Sequence, residues 1–305
     1  MRTISFLLLL FWGIIASSCH QAHNSVNQND VSEKASYYFE ISDSYNRPVK
    51  LDREPQAIIS ISPSITEMLL LLHQEQRLIG ITDFCPKEQQ LAHVKRIGGL
   101  YNLNIESLLV LNPDLVLIGS IVSKNDVDNM EKVGLKVMAI KEERHINGLF
   151  NALSILGRLL NCDSLAQHEI AVMRSRLEQL TNTQTATKKV YYVAGFGSSG
   201  DYTAPKESHI DEIITLAGAI NVGHNLTNWN ISREYLFAQQ PDLIFIRKED
   251  YEAFIHTDPY TKLNAVQQQR VYPIESSWID IVSPKNLDAI ELIHSKLRIK
   301  DQGKE

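Results

Sequence analysis

The sequence predicts an α/β protein made of two βα lobes with largely parallel sheets, joined by a single long helix, with a ligand cleft between the lobes. Two observations lead there. The phrase "NIESLLVLNPDLVLIG" from Asn104 returns as "NISREYLFAQQPDLIFIR" from Asn230, with Glu106 and Glu234 each seven positions ahead of a Pro-Asp-Leu. The two glutamates are 128 residues apart, close to the ~100–200 residues of one domain. Between the copies, residues 145–183 hold no strand pattern and carry leucines at helical spacing. Each copy reads as a short helix, a turn and a buried strand, because proline disfavours the helical conformation before it and "DLVLIG" and "DLIFIR" are short aliphatic runs.

The remaining elements follow in order. "AIISIS" (57–62) is a strand, and the helix from Ser64 to about His73 has Glu67 three residues after Ser64, a capping-box spacing. "RLIGIT" is the next strand, followed by the helix 105–111, the strand 115–118, a helix over "SKNDVDNMEKVG" and the strand "KVMAI". Alternating β and α predicts a parallel sheet. Leu149, Leu153, Leu156 and Leu160 mark one helix. After a break at Asn161-Cys162-Asp163, Leu165, Ile170, Met173, Leu177 and Leu180 mark a second, long enough to act as a strut. The second half repeats the scheme from "KKVYYVAGFG": a helix over 209–217, the repeated phrase, a helix near 249–254, the strand "RVYPI" and a final helix over 284–297. The boundaries are therefore 1–18 for a signal peptide, 19–50 for a tether, 51–144 for the first lobe, 145–187 for the bridging helices and 188–305 for the second lobe.

Composition and termini narrow the function. With 44% hydrophobic residues, 10 prolines and 14 glycines, the chain has material for two cores. A net charge of −6 without a basic stripe excludes the electrostatic footprint of a nucleic-acid binder. Arg2 and the 13-residue apolar run "ISFLLLLFWGIIA" form a secretory signal too short to reside in a bilayer. "ASSC", ending at Cys19, resembles the lipobox of bacterial lipoproteins, which implies an exported protein anchored to a membrane through lipid on Cys19. Cys85 and Cys162 are the other two cysteines, and a disulfide or two separate thiols are both open.

No catalytic signature is present: there is no G-x-S-x-G, Walker loop or H-E-x-x-H, "GFGSSG" at Gly195 fails the dinucleotide pattern, and the ten histidines are scattered. An enzyme using Asp83 or Asp280 lacks a partner at fixed spacing. The loops after strands instead carry aromatics: Phe84, Tyr101, Phe196, Tyr202, Trp229 and Trp278. Carboxyl ends of strands form the ligand crevice in open α/β sheets, so these six are the candidate ligand-binding residues, suited to a large, partly apolar ring system.

"AIISISPSITEMLLLL", "RLIGITDFCP", "RIGGLYNLNIESLLVLNPDLVL", "SKNDVDNMEKVGLKVMAI" and "ISREYLFAQQPDLIF" together resemble the substrate-binding proteins of ABC importers for vitamin B12, iron-siderophores and haem, over roughly residues 51–297. The resemblance implies a class III periplasmic-binding-protein-like fold, no enzymatic activity and no cofactor. It also implies docking of Glu106 and Glu234 onto arginines of a paired permease; without that role both are solvated acids at helix starts, worth ~0.3–1 kcal/mol. The vitamin B12 binders are the most similar branch, with pocket aromatics near Phe84, Tyr202, Trp229 and Trp278, which makes a corrinoid the expected ligand of a monomeric receptor. Ser277 replaces a frequent acid, and Leu100-Tyr101 replaces a common tryptophan. Haem binders usually place an iron-ligating tyrosine where this chain has Gly99, which demotes haem unless Tyr101 takes over that role. Siderophore binders cluster arginines, of which only Arg96 and Arg233 fall near the expected cleft, and a ferric siderophore is the alternative ligand.

Overall fold

The computed structural model describes residues 37–100, 103–141, 144–181 and 187–298. Cys19, the signal segment and Tyr101 lie outside them.

The N-terminal lobe opens with a hairpin, β1 (Phe39–Ser42) and β2 (Pro48–Leu51), paired antiparallel. On sequence these residues fall within the tether; the structure gives them to the lobe. Phe39, Val49 and Leu51 are buried in the main core, an alternation too short to stand out in a polar stretch. Asp43 fixes the turn, accepting from the backbone N–H of Tyr45 (2.9 Å), Arg47 (3.1 Å) and, from the adjoining sheet, Ala139 (3.2 Å).

That sheet contains β3 (Ile58–Ser60), β4 (Leu78–Ile81), β5 (Lys95–Arg96), β6 (Leu115–Ile118) and β7 (Val137–Ala139), in the order β5-β4-β3-β6-β7 and parallel throughout. The helices α1 (Pro63–Leu71), α2 (Ile105–Val110) and α3 (Lys124–Lys132) connect its strands. Because β6 is buried at every residue, its continuous aliphatic run is accounted for by layers on both faces.

The α1 start differs from its sequence expectation. Its cap is Ser62, whose hydroxyl accepts from the Ile65 N–H at 3.2 Å, with Pro63 in the first turn. Glu67 thereby lies two residues beyond the capping-box position, and its carboxylate meets Lys285 at 3.1 Å.

The bridge is a helix pair, α4 (Ile146–Leu159) and α5 (Asp163–Thr181). Gly157 brings them close: a Cβ there would stand 2.5 Å from that of Ala166. At 19 residues, α5 spans about 28 Å at the helical rise.

The C-terminal lobe contains β8 (Lys189–Val193), β9 (Ile220–Asn221), β10 (Leu243–Arg247) and β11 (Val271–Ile274), in the order β11-β10-β8-β9, again parallel. The helices α6 (His209–Leu216), α7 (Arg233–Gln239), α8 (Tyr251–Ile255), α9 (Asn264–Gln267), α10 (Ser276–Ile279) and α11 (Asn286–Leu297) complete it.

The two sheets correspond. β6 pairs with β3 through Leu115 opposite Ile58, and β10 pairs with β8 through Leu243 opposite Val190. The residues preceding the two prolines, Asn112 and Gln240, both have positive φ (49° and 43°), a conformation that ends the helix ahead of each Pro-Asp. One apolar core contains Ile58, Leu115 and Leu117 of the first sheet, Leu153, Leu156 and Ile170 of the bridge, and Tyr192, Phe245 and Ile290 of the second lobe. The far side of each sheet has a separate core. Cys85 and Cys162 are both free thiols. Among the described residues no helix is long and apolar enough to cross a membrane.

Candidate functional site

The carboxyl edges of the two sheets meet. Ser64, just beyond β3, donates its hydroxyl to the carbonyl of Val282, beyond β11. Lys285, at the start of α11, reaches both Glu67 of α1 and Glu88 of the loop after β4, the latter at 2.6 Å. Glu67 is almost wholly buried, and burial pushes its carboxyl above the usual range while Lys285 opposes the shift. On the bridge side, the Glu212 carboxylate accepts the Ile146 N–H at 2.9 Å, serving as a cap for α4 donated by the other lobe. These contacts join the two lobes near the carboxyl ends of their strands.

Phe84, in the loop after β4, is 60% exposed. Its loop is tightly fixed. The Arg96 guanidinium donates to the carbonyls of Thr82 (2.9 Å), Cys85 (2.9 Å) and Pro86 (2.5 Å), and the Cys85 thiol is buried against Thr66 and Thr82. Asp83 N–H donates to the Gly98 carbonyl at 3.0 Å.

Trp229, in the loop ahead of α7, is 40% exposed. Tyr202 lies beside it in the chain's hydrogen-bonding pattern: isolated bridges join Tyr202 to Gly195 and to Asn230, and Thr203 N–H donates to the Trp229 carbonyl at 2.9 Å. This explains "GFGSSG". A Cβ on Gly195 or Gly200 would come within 3.0 or 3.1 Å of the Tyr202 side chain, so the glycines make room for that ring.

Trp278 is half-buried on the one-turn α10 and packs against the main core while keeping part of its ring accessible. Phe196 is partly exposed, and its ring packs edge-on against Phe254 (5.2 Å) and Tyr260 (5.7 Å) at the margin of the second lobe's core.

Both arginines weighed on sequence have protein partners. Arg96 is committed to the three carbonyls, and Arg233 pairs with Asp201 at 2.8 Å and donates to the Gly197 carbonyl at 2.9 Å. The structure adds a third, Arg247, at the carboxyl end of β10, paired with Asp280 at 2.6 Å. Tyr192 donates its hydroxyl to the same Asp280 at 2.5 Å, and burial raises its own pKa. Arg247 was legible as the last residue of "DLIFIR", although its partner is not. Among the described residues no three histidine, cysteine or acidic side chains are grouped to hold a metal ion.

Glu106 and Glu234 occupy equivalent, exposed places. Each is the second residue of its helix, behind a cap that accepts a backbone N–H at 3.1 Å: Asn104 from Ser107, and Ser232 from Tyr235. A separate depression of about 390 Å³ lies behind Lys285 against Leu70, Leu71, Val172 and Met173, and none of the predicted ligand aromatics lines it.

Residues 58–277 match the model of the periplasmic binding proteins. The chain belongs to the periplasmic binding protein family. It is thus a substrate-binding protein of the ABC-importer type and not an enzyme. It is 24% identical, over 93% of both chains, to an uncharacterized ABC transporter substrate-binding lipoprotein, YvrC, of Bacillus subtilis. It is 26% identical to a cobalamin-binding protein of Halobacterium salinarum over 70% of this chain and 60% of that one. Among solved structures, the periplasmic heme-binding protein HutB of Vibrio cholerae superposes with a TM-score of 0.73 at 20% identity, covering 80% of this chain and 99% of that one. That likeness establishes the two-lobed fold shared by periplasmic binding proteins.

Proposed function

We propose that this periplasmic binding protein captures vitamin B12 or a related corrinoid in the crevice and delivers it to the paired permease of an ABC importer. The carrying observation is the placement of an exposed aromatic beyond a strand end on each lobe, Phe84 and Trp229, with Tyr202 joined to the neighbouring Asn230 by backbone pairing and Trp278 half-buried in the same lobe. Flat apolar faces suit a large ring system, and the guanidinium groups of Arg96, Arg233 and Arg247 are engaged by protein acceptors instead of standing free for a polyanionic chelate. Gly99 offers no side chain to ligate haem iron. The similarity to a cobalamin-binding protein points the same way. Exposed Glu106 and Glu234 supply one negative contact per lobe for a two-subunit partner. The lipid anchor is assigned to Cys19, placing the receptor outside the cytoplasmic membrane, as a monomer.

Titration of the mature protein with cyanocobalamin, haemin and a ferric catecholate, followed by visible absorption and tryptophan quenching, tests the reading. Saturable binding of cyanocobalamin in preference to the others is expected. Preference for haemin or the catecholate overturns the corrinoid assignment, and binding of none overturns ligand capture by these aromatics.

A further inference from the structure

Phe84 and Trp278 stand on different lobes, and each is fixed to its own lobe through backbone carbonyls. Phe84 lies between Thr82 and Cys85, whose carbonyls both accept from the Arg96 guanidinium, as does that of Pro86. The Trp278 carbonyl accepts from the Asn286 side-chain amide at 2.8 Å, and the same amide reaches the Ile281 carbonyl at 2.8 Å. None of these bonds crosses between the lobes, so none of them sets how far Phe84 stands from Trp278.

Lys285 does cross. It immediately precedes Asn286, and its Nζ lies 2.6 Å from Glu88 and 3.1 Å from Glu67. Glu88 is four residues past Phe84 and two past the Pro86 carbonyl that Arg96 holds. A chain of fixed groups therefore runs from the Phe84 loop through Glu88, Lys285 and Asn286 to Trp278, with a single interlobe link in it. The two acids on Lys285 differ in kind. The Glu67 side chain is 3% exposed, on the same helix whose Ser64 donates to the Val282 carbonyl, so this contact is an internal anchor. The Glu88 side chain is 36% exposed, and its other carboxylate oxygen accepts from Gln90 at 2.7 Å. Lys285 holds the Glu88 carboxyl below its ordinary range, so both partners are charged at neutral pH. An ion pair in contact with water can part and reform with each charge rehydrated, whereas parting the buried one strands a desolvated carboxylate.

We propose that Lys285 is a positioning residue for solute capture: through Glu88 it ties the Phe84 loop of the first lobe to the Trp278 segment of the second and so sets the spacing of the two rings. The inference rests on the ligand-capture reading above and adds to it the link that governs how long a solute is held.

The test compares Glu88→Ala and Lys285→Arg with wild type. Hydrogen exchange of the protein without solute reads the loop directly, through the Cys85 and Leu91 amides that bond to the Thr82 and Glu88 carbonyls. Stopped-flow cyanocobalamin binding reads the consequence, and thermal unfolding guards against a general loss of structure. Glu88→Ala is expected to speed exchange across residues 85–91 and to raise the dissociation rate about three- to tenfold, with the association rate and the unfolding midpoint nearly unchanged. Lys285→Arg keeps a cation in reach of both carboxylates and is expected to retain wild-type exchange and dissociation. Wild-type exchange in Glu88→Ala overturns the tie whatever the solute, and faster exchange with an unchanged dissociation rate overturns the positioning role. A midpoint loss in Glu88→Ala as large as that of Leu117→Ala, or a Lys285→Arg variant as loose as Glu88→Ala, also overturns it. If wild type prefers haemin or the catecholate, the corrinoid assignment alone falls and the same rates are read with that solute; wild type binding none of the three overturns both.

Discussion

Asp114 and Asp242 hold the same position in separate lobes, and each clips the first strand of its sheet. Asp114 Oδ2 accepts the Ala57 N–H at 3.0 Å while its own N–H donates to the Ala57 carbonyl at 2.7 Å; Asp242 does the same with Lys189, at 2.7 and 2.9 Å. The aspartate of the repeated Pro-Asp-Leu is thus a requirement of the fold, while the glutamate seven residues ahead of the proline makes no ion pair among the described residues. Gln56 N–H, with Arg53 and Ala57, holds the Asp114 carboxyl below its ordinary pKa.

Asp114→Ala should therefore destabilise the protein by about 1–3 kcal/mol at neutral pH. A depressed folded-state pKa contributes stability above the unfolded value, about 3.9, and loses it as pH falls through the folded one. Denaturant melts of wild type and variant should differ at pH 7 and converge in acid. An undiminished gap at pH 2.5 would count against a charge-assisted clip.

Trp229→Ala should weaken ligand binding with the unfolding midpoint nearly unchanged, whereas Leu117→Ala, in the core, should destabilise by roughly 2–5 kcal/mol. Trp278→Ala should do some of both, since its half-buried ring packs on the core. Equal stability losses for Trp229 and Leu117 would remove Trp229 from the crevice wall.

Glu106→Arg combined with Glu234→Arg should leave ligand affinity and melting unchanged but abolish uptake in cells, each single change giving a partial loss. If each glutamate meets a permease arginine, the variants set like charges against each other at both contacts. Wild-type uptake by the double variant would refute docking through these residues.

Lys285→Met leaves the Glu67 carboxylate buried without its cation, which should cost up to about 3 kcal/mol. Adding Glu67→Gln should restore part of that loss. Burial already raises the Glu67 pKa, so the single variant should recover as pH falls and the carboxyl protonates. A loss that neither acid nor Glu67→Gln relieves would show that the effect lies elsewhere.

Cys19→Ala should shift the protein from the membrane to the soluble fraction, because acyl chains supply about 0.8 kcal/mol of membrane affinity per buried CH₂. Unchanged fractionation would dismiss the anchor.

The parallel lobes were legible because their strands are short aliphatic runs between helices with proline and cap signals at their ends. The hairpin over residues 39–51 was not, since two four-residue strands with alternating burial resemble any polar leader. Glu67 misled for a related reason. Its spacing from Ser64 suggests a local cap, but its partner is Lys285, more than 200 residues along the chain, which no local pattern encodes. Phe196 and Trp229 look alike in sequence, each an aromatic in a polar loop, and only tertiary packing separates a half-buried ring from an exposed one.

The apolar core that runs from the first sheet through α4 and α5 into the second also governs how the molecule comes apart. Neither lobe can unfold without baring the leucines and isoleucines it shares with the helical bridge, so heating should produce one calorimetric transition for both halves. The same continuity bounds their relative motion. A wide swing would tear side chains out of that shared interior, whereas a rocking of a few degrees would leave them in place. Entry and release of a solute therefore fall to small adjustments at the rim, and a fragment cut between the lobes is expected to aggregate instead of folding alone.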